Sequence, residues 1–223
     1  MNLSSTEENY LKEIYSLSRE AEKKIPNLQI GQRLGLNPPA VTEMLRKLAE
    51  KGWISYSRTE GASLTDDGEV LALQVIRKHR LWETFLVKTL GFSWDEVHEV
   101  AEQLEHIRSQ KLLDELDRFL GHPEFDPHGE PIPNALGIMP LQMALSLSQC
   151  RQGEKVELLS VSSQRGDFLQ SLQLAGVQLR SRFEVLISDA EEFRLRLLDS
   201  GKELSIPKPD AQGIFVGILQ ATR

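Results

Sequence analysis

Hydrophobic residues recur at helical spacing through the first part of the chain. In Thr6–Ser18 apolar positions return every three or four residues, and Thr6 is in the place of an N-cap. A polar break at 19–27 precedes a short helix that ends at Gly35. Asn37 is followed by two prolines, which a first helical turn tolerates because its amides lack intrahelical partners. The pattern therefore predicts a second helix capped by Asn37.

A hairpin is predicted directly after this second helix, which Gly52 ends. The stretch WISYSRTEGASLT alternates like two short strands that turn at Glu60 and Gly61. Helix, tight turn, helix and two-stranded wing is the order of a winged helix-turn-helix domain.

The remainder divides into a helical and a β-rich segment. Residues 66–120 predict one helix to Gly91, a second from Ser93 as N-cap to about Ser109, and a third to Leu120. The stretch EFDPHGEPIPN is too rich in proline and glycine for regular structure. Beyond it the runs KVELLSV, FEVLISD, FRLRLLD and GIFVGIL are typical of a small β-barrel. We expect a mainly α protein with a small β domain.

Composition narrows the class of protein. With 223 residues and 40% hydrophobic content, the chain can bury a substantial core. It has neither an apolar run long enough to span a membrane nor a secretory N-terminus, so we expect a cytoplasmic protein without membrane contact. Cys150 is the lone cysteine, which excludes an internal disulfide and cysteine-rich zinc modules. We expect it to be a buried small hydrophobe.

The net charge of −7 argues against a wholly basic nucleic-acid-binding protein, but the charge is unevenly placed. Basic residues outnumber acidic ones within 33–58, which includes the second helix and part of the hairpin. A local nucleic-acid-binding surface is therefore compatible with the overall charge.

The stretch HEVAEQLEH concentrates histidine and glutamate on one predicted helix. At about 100° per residue, His98, Glu102, Glu105 and His106 fall within one arc of a helical wheel, opposite the apolar side chains. A solvated polar face and one half of a metal site are both consistent with this pattern. His79 and Glu83 share a face of the preceding helix, which favours the second interpretation because such oxygen and nitrogen sets suit Mn²⁺, Fe²⁺, Co²⁺ or Zn²⁺.

Taken in order, NPPAVTEMLRKL, HRLWETFL, HEVAEQLEH and DPHGEPIP resemble the diphtheria-toxin-repressor family of metal-dependent transcriptional regulators, its manganese transport regulator branch more than its iron branch. The resemblance covers essentially the whole chain. It implies a winged helix-turn-helix DNA-binding domain over 1–73, a helical dimerisation and metal-binding domain over 74–145 and an SH3-like C-terminal β-barrel over 146–223. It also implies Mn(II) or Fe(II) at two sites per subunit, a homodimer, a DNA operator and no enzymatic activity.

The resemblance also implies ligand roles for particular residues. The primary metal site is matched by Glu102, Glu105 and His106, with Asn9 in the place of a ligand from the N-terminal helix. The ancillary site is matched by His79, Glu83 and His98. Its further ligands in some members lie near a PHG turn and in the C-terminal domain, at places held here by Asp126, His128, Gln164 and Asp167. For Asp126 and His128, ordinary turn chemistry is an equal alternative.

Three positions bear on the identity of the metal. Family members carry Met or Asp where this chain has Asn9, and the manganese regulators carry Glu where it has Lys12. Asn9 offers only a neutral oxygen, so Glu8 or water is an alternative ligand. Iron-responsive members tend to carry Cys at the position of Glu102, and the hard ligand found here favours Mn²⁺ without excluding Fe²⁺.

The predicted second helix and wing supply the expected DNA contacts. Candidate base-reading positions are Asn37, Pro38, Pro39, Ala40, Thr42 and Glu43. Candidate phosphate contacts are Arg46, Lys47, Tyr56 and Arg58. One such helix reads few bases, so we expect a two-fold dimer on a palindrome. Its expected interface, or alternatively an internal core, comprises Trp82, Phe85, Leu86, Leu90 and Phe92.

Two other classes of function remain as alternatives. Di-metal carboxylate enzymes also use paired helices with Glu and His, but they carry Glu-x-x-His motifs, from which Glu102-x-x-Glu105-His106 departs. A metal-independent winged-helix regulator with a ligand-binding barrel is the other alternative, and Mn²⁺ binding would distinguish it.

Overall fold

A computed structural model describes residues 3–20, 24–162, 165–189 and 191–219. The chain forms two compact units. The first, called the N-terminal unit, comprises Met1–His79, Leu104–Ser109 and Pro133–Ile138. The second, called the C-terminal unit, comprises Arg80–Gln103, Gln110–Ile132 and Met139–Arg223.

The N-terminal unit contains the predicted winged helix-turn-helix. Its elements are α1 (Ser5–Glu20), α2 (Asn27–Leu34), α3 (Pro38–Glu50), β1 (Ile54–Ser57) and β2 (Gly61–Leu64). Strands β1 and β2 pair antiparallel, as expected for a wing. The Asn37 side chain accepts a hydrogen bond from the Ala40 amide at 3.0 Å, which confirms the predicted cap of α3.

The cap of α1 was predicted wrongly. The Glu7 amide donates to Ser4 Oγ at 3.3 Å, and the Ser4 amide donates to Glu7 Oε2 at 3.0 Å. This reciprocal capping box makes Ser4, not Thr6, the N-cap of α1. Thr6 is followed three residues later by Asn9, whereas Ser4 has Glu7 at that spacing.

The core of the N-terminal unit joins α1 to α3. Tyr10, Leu11 and Ile14 of α1 are buried in one cluster with Val41 and Leu45 of α3. A displacement of α1 therefore disturbs the packing behind α3.

Three helices follow the wing, as predicted, but the second is shorter than expected. They are α4 (Asp66–Leu90), α5 (Val97–Leu104) and α6 (Gln110–Phe119). Contrary to the prediction, α5 does not begin directly after Ser93. The side chain and amide of Ser93 donate to Glu96, and a turn over 94–96 precedes the helix. Glu105 and His106 lie in a turn after α5, so the helical wheel misplaced them.

The C-terminal unit also contains an antiparallel sheet, which confirms the predicted small β domain. Its strands are β3 (Leu145–Ser146), β4 (Lys155–Val161), β5 (Arg182–Ser188), β6 (Glu192–Leu197), β7 (Glu203–Pro207) and β8 (Ile214–Ile218), in the order β3-β8-β4-β5-β6-β7. Two further helices, α7 (Gly166–Leu174) and α8 (Lys208–Ala211), were not expected.

The sheet and α7 enclose the core of this unit. Phe168 and Leu172 of α7 are buried in one cluster with residues of the sheet such as Leu158 and Phe183. Cys150 is buried in the same cluster, as predicted, and burial raises the pKa of its thiol to about 11. Among the described residues, no helix is both long and apolar enough to cross a membrane.

Candidate metal centres and DNA-binding surface

Glu105 is the focus of a buried polar cluster in the N-terminal unit. Its side chain is 0% exposed, and Lys12 Nζ of α1 lies 2.8 Å from Oε1 and 3.0 Å from Oε2. His79 Nδ1 lies 2.6 Å from Oε2. The carboxylate of Glu105, in the turn after α5, thus contacts α1 through Lys12 and α4 through His79. We call Glu8, Lys12, His79, Glu105 and His106 the Glu105 centre.

The ionisation of Glu105 follows from these partners. Burial by itself would raise the pKa of Glu105, but the hydrogen bond with His79 and the charge of Lys12 outweigh it, so the pKa is lowered. Glu105 is therefore an anion at neutral pH, which is the state that a metal ligand requires.

Glu8 and His106 form the second part of the Glu105 centre. Glu8 Oε2 lies 2.6 Å from His106 Nδ1, and Lys78 Nζ donates to Glu8 Oε1 at 2.9 Å. His106 Nε2 lies 3.9 Å from Glu105 Oε1. The next residue of α1, Asn9, has a buried Oδ1 without a hydrogen-bond partner. The oxygen and nitrogen donors of α1 and of the turn after α5 are of the kind that binds a hard divalent cation, although in the described part of the chain three potential ligand atoms come within 4.8 Å of one another only in groups that include Glu83.

A second cluster lies in the C-terminal unit. Glu83 of α4, Asp126 and His128 are all buried, and each offers a ligand atom within 4.8 Å of the others. His98 of α5 brings Nδ1 to 3.3 Å from Glu83 Oε1. We call Glu83, His98, Asp126 and His128 the Glu83 centre. Its donor set of two carboxylates and two imidazoles fits Mn²⁺, Fe²⁺ or Zn²⁺.

The turn that carries Asp126 and His128 is held against the sheet. The Val161 amide of β4 donates to the His128 carbonyl at 2.8 Å. Gly129 has a φ of +82°, and a Cβ there would lie 2.0 Å from the Leu159 carbonyl oxygen. Only glycine permits this close approach. His128 Nε2 lies 3.2 Å from the Trp94 carbonyl oxygen, so its other ring nitrogen, Nδ1, faces Glu83 at 4.0 Å.

The two carboxylate oxygens of Asp126 have different roles. Oδ1 accepts hydrogen bonds from the amides of His128 at 2.8 Å and Glu130 at 2.9 Å. Oδ2 is buried and has no hydrogen-bond partner, with Arg80 Nε at 3.6 Å. Burial, and then the charge of Glu83, raises the pKa of Asp126 well above its ordinary value. Oδ1 therefore stabilises the turn, and Oδ2 is the atom to which the ligand interpretation applies.

His98 joins Glu83 to Glu102. His98 Nε2 lies 3.5 Å from Glu102 Oε1 one helical turn later, and Glu102 is largely exposed. Burial alone would lower the pKa of His98, but its contacts with Glu102 and Glu83 outweigh this effect and raise the pKa to about 9. The structure therefore pairs Glu102 with His98, which the helical wheel places on the same arc, whereas the resemblance assigns Glu102 to the primary site with Glu105 and His106.

Asp167 and Gln164 are the candidate ligands from the C-terminal domain. Asp167 is exposed and forms an ion pair with Arg165 at 2.9 Å. It is absent from the clusters of potential ligands found in the described part of the chain. Gln164 lies outside the described residues.

The surface expected to meet DNA is exposed along α3. Side chains at Asn37, Pro38, Pro39, Glu43, Arg46, Lys47 and Arg58 are exposed, and those at Ala40, Thr42 and Tyr56 are half-buried. Asn27 of α2 links two of them, since its Nδ2 donates to Tyr56 Oη at 2.8 Å and lies 3.4 Å from Thr42 Oγ1. The sequence reasoning missed this link.

Glu7 is a second residue that the sequence reasoning missed. It is almost fully buried and lies 2.6 Å from Lys51 Nζ and 3.0 Å from Lys47 Nζ. Burial acts to raise the pKa of Glu7, but the hydrogen bonds from Lys51, Ser4 and Lys47 lower it to about 2. Helix α1 thus holds the C-terminal end of α3 through an ion-pair network. Lys47 is on the exposed face of α3, and nothing in the sequence indicated that it contacts a buried glutamate.

The side chains expected at the dimer interface differ in their exposure. Leu86 is buried, so it belongs to an internal core, whereas Leu90 is exposed and Trp82, Phe85 and Phe92 are half-buried. Phe119 of α6, which was not predicted, is 67% exposed and stacks edge-on with Phe85 at 6.0 Å between ring centroids. Within this group, Leu90 and Phe119 are therefore the side chains most open to a partner.

A winged helix-turn-helix combined with helices that carry clustered metal-donor side chains defines a class of metal-responsive DNA-binding proteins. Residues 2–62 match the family model "Iron dependent repressor, N-terminal DNA binding domain". Residues 65–134 match "Iron dependent repressor, metal binding and dimerisation domain". The chain belongs to this iron-dependent repressor family, which includes the diphtheria toxin repressor, so the predicted family is confirmed.

Individual relatives cover different shares of the chain. It is 35% identical over 140 residues to the iron-dependent repressor IdeR of Mycobacterium bovis, a match that spans 62% of this chain and 60% of that one. It is 27% identical over 216 residues to the diphtheria toxin repressor of Corynebacterium glutamicum, covering 92% of each. Less than two thirds of IdeR is thus matched.

Solved structures match over nearly the whole chain. A manganese-dependent transcriptional repressor in complex with manganese is 36% identical, with a TM-score of 0.90, and the match covers 96% of this chain and 100% of that one. ScaR with bound Zn²⁺ is 35% identical, with a TM-score of 0.82, and the match covers 96% and 99% of the two chains. These similarities confirm the predicted fold class.

Proposed function

We propose that this protein is a metal-dependent transcriptional repressor of metal-uptake genes. In this proposal Mn(II) or Fe(II) binding favours the dimer conformation that binds a palindromic operator. Support comes from family membership, from the exposed face of α3 and from the buried potential ligands clustered around Glu83. The named relatives are repressors that respond to iron or manganese.

The observation that carries the proposal is the buried carboxylate of Asp126, which Arg80 faces at 3.6 Å without a hydrogen bond to Oδ2. Its buried Oδ2 lacks a hydrogen bond, and its pKa is raised by burial and by Glu83. Two buried carboxylates close together are costly, and the neighbouring Arg80 is shared with Glu130. A divalent cation held there would supply additional positive charge.

The donor atoms favour manganese. The potential ligands of both centres are carboxylates and imidazoles, and the single thiol, Cys150, is buried in the core of the C-terminal unit beside residues of the sheet. Hard oxygen and nitrogen donors suit Mn²⁺, and Fe²⁺ is the alternative.

The ligands of the ancillary site are assigned from the Glu83 centre. We assign Glu83, His98, Asp126 and His128 to this site. His79, which the resemblance also places there, contacts Glu105 at 2.6 Å within the N-terminal unit. Asp167 is left outside the site because of its exposure and its pairing with Arg165.

The Glu105 centre is connected to the DNA-binding surface through α1. Glu8 contacts His106 in this centre, whereas the preceding residue, Glu7, binds Lys47 and Lys51 at the end of α3. Fixing α1 against the turn after α5 therefore fixes the helix that packs behind α3. A ligand that prefers this arrangement increases its population in proportion to its differential affinity.

In the DNA complex, α3 would lie in the major groove. Thr42 and Glu43 are proposed to contact base edges, while Arg46, Lys47 and Arg58 contact phosphates. Two copies of α3 are needed to read a palindrome, and we propose that a homodimer formed through Leu90 and Phe119 supplies them.

The test is a comparison of DNA binding with and without metal. Metal-stripped protein is titrated into a pool of random duplexes, and bound sequences are selected in the presence of Mn²⁺, Fe²⁺, Zn²⁺ or a chelator. We expect enrichment of a palindrome only with metal, and with Mn²⁺ at the lowest concentration. Equal enrichment in the chelator would instead establish a metal-independent winged-helix regulator.

A further inference from the structure

Lys12 places a positive charge inside the Glu105 centre. Its side chain is only 9% exposed, and its ammonium contacts both oxygens of Glu105, at 2.8 and 3.0 Å. A lysine at such a depth loses most of its hydration, and the ion pair with Glu105 is what compensates for that loss.

The two candidate centres differ in charge. In the Glu105 centre, Lys12 pairs with Glu105 and Lys78 pairs with Glu8, so each carboxylate already has an ammonium partner. In the Glu83 centre, Arg80 lies near Asp126 and Glu130 and thus serves two carboxylates. In the Glu105 centre every carboxylate is therefore paired with a lysine, whereas the carboxylates of the Glu83 centre face Arg80, which is shared with Glu130, and the imidazole of His98.

A metal ion and the Lys12 ammonium would compete for the same oxygens. A cation ligated by Glu105 lies about 2.1 Å from a carboxylate oxygen. With Nζ at 2.8 Å from Oε1 and 3.0 Å from Oε2, the two positive groups would lie within a few ångströms of each other. Such close like charges in a poorly solvated site repel strongly.

We propose that Lys12 is an internal cation that competes with the metal for Glu105 and so sets the metal concentration at which the Glu105 centre fills. This inference rests on the proposed function, because it takes Glu105 as a metal ligand. In the metal-free protein, Lys12 holds α1 to the turn after α5. When metal binds, Lys12 must leave Glu105, and that displacement opposes binding.

The test compares Mn²⁺ affinity and metal-free stability in matched lysine variants. Each lysine variant and its reference with Lys12 carry Asp126→Asn, so that binding reports on the Glu105 centre, and the parent with an intact Asp126 is titrated alongside them. Lys12→Met removes the charge and keeps much of the side-chain volume, and Lys12→Gln is a milder neutral variant in case the first does not fold. Lys24→Met is the control, because Lys24 forms an exposed ion pair with Glu60 at 2.8 Å. Isothermal titration calorimetry gives the dissociation constant, and circular dichroism in chelator gives the melting temperature.

We expect the neutral variants at position 12 to bind Mn²⁺ about tenfold more tightly or better, because the repulsion is removed. Their metal-free melting temperature should fall, because Glu105 stays buried with His79 as its remaining close partner. The Lys24→Met control should change neither quantity.

The possible failures are distinguishable. Saturable Mn²⁺ binding with an unchanged or weaker affinity in the Lys12 variants would overturn the inference and leave the proposed function standing. An unchanged metal-free melting temperature would also overturn it, because the ion pair would then be absent in solution. No Mn²⁺ binding in any protein of the series, including the parent with an intact Asp126, would overturn the proposed function and the inference together.

Discussion

Substituting Asp126 by asparagine separates the two roles that the structure gives this residue. Asparagine keeps Oδ1, so the bonds from the amides of His128 and Glu130 can persist and the turn should stay intact. It replaces the buried, unbonded Oδ2 by an uncharged group. The variant therefore removes a metal ligand without removing the turn. Asp126→Ala is the matched control, since it removes both.

The expected effect of metal on stability can be estimated. A ligand at a hundredfold excess over its dissociation constant stabilises the folded state by about 2.7 kcal/mol. For a protein of this size, roughly 2 to 4 °C of melting temperature correspond to 1 kcal/mol, so wild type should gain about 5 to 11 °C with Mn²⁺. Asp126→Asn should lose most of the increase in melting temperature that metal in the Glu83 centre contributes.

In the absence of metal, Asp126→Asn should instead increase the stability of the protein. The pKa of Asp126 is raised in the folded state, so ionisation there is unfavourable. The native state holds its proton more tightly than the unfolded state, and stability from this group is lost as pH rises from its unfolded pKa of about 3.9 toward the folded value. Asp126→Asn should therefore be more stable than wild type in chelator at neutral pH, and the advantage should shrink in acid.

The assay is thermal unfolding followed by circular dichroism, in chelator and in excess Mn²⁺, across acidic and neutral pH. Asp126→Ala should melt lower than Asp126→Asn under every condition, because the turn loses two hydrogen bonds. A full Mn²⁺-dependent shift in Asp126→Asn would refute the ligand role and leave only the turn.

Three further predictions concern other parts of the protein. Lys47→Ala should weaken DNA binding for all sequences and lower the salt slope by about one unit, measured by fluorescence anisotropy; an unchanged slope would place Lys47 outside the interface. Asn9→Asp should tighten Mn²⁺ binding by adding an anionic oxygen and Asn9→Ala should weaken it, and calorimetry showing neither would point to Glu8 as the ligand. The pKa of His98 is raised to about 9, so its stabilisation of the metal-free protein is full below about 6.5 and is lost as pH rises through about 9. Because a ligating imidazole must be neutral, Mn²⁺ affinity should increase with pH over that interval, and His98→Gln should flatten the dependence.

Local patterns were sufficient to predict the winged helix-turn-helix. The Asn37 cap, the two prolines after it and the αL glycine at position 35 act within a few residues, and the structure shows each of them as expected. The C-terminal sheet was also predicted from alternation, whereas α7 was missed. Its sequence, GDFLQSLQL, is short, begins with a glycine and lacks a side-chain cap, so its helical state depends on the burial of Phe168 and Leu172.

The end of α5 could not be predicted from periodicity. Extending the wheel through Glu105 placed that residue on a polar arc opposite the apolar side chains, but the helix ends at Leu104 and Glu105 is fully buried. The burial depends on Lys12 and His79, which lie far away in sequence. A helical wheel describes one element by itself and holds no information on charges contributed by other elements. Ile107, which the same wheel places among the apolar side chains, lies beyond the end of α5 and is exposed.

The position of Glu105 also explains why a charge-neutral substitution is informative there. Glu105→Gln would leave Lys12 as a buried ammonium without its anionic partner, so the metal-free protein should lose stability. On the helical wheel, the same change would relieve repulsion with Glu102 and leave stability unchanged or higher. The two descriptions therefore predict opposite signs in chelator. In saturating Mn²⁺ the variant should also lose metal-dependent DNA binding, because the connection from the Glu105 centre to α3 runs through α1. A variant with unchanged stability, metal response and DNA binding would show that the buried ion pair and the metal role of Glu105 are both wrong.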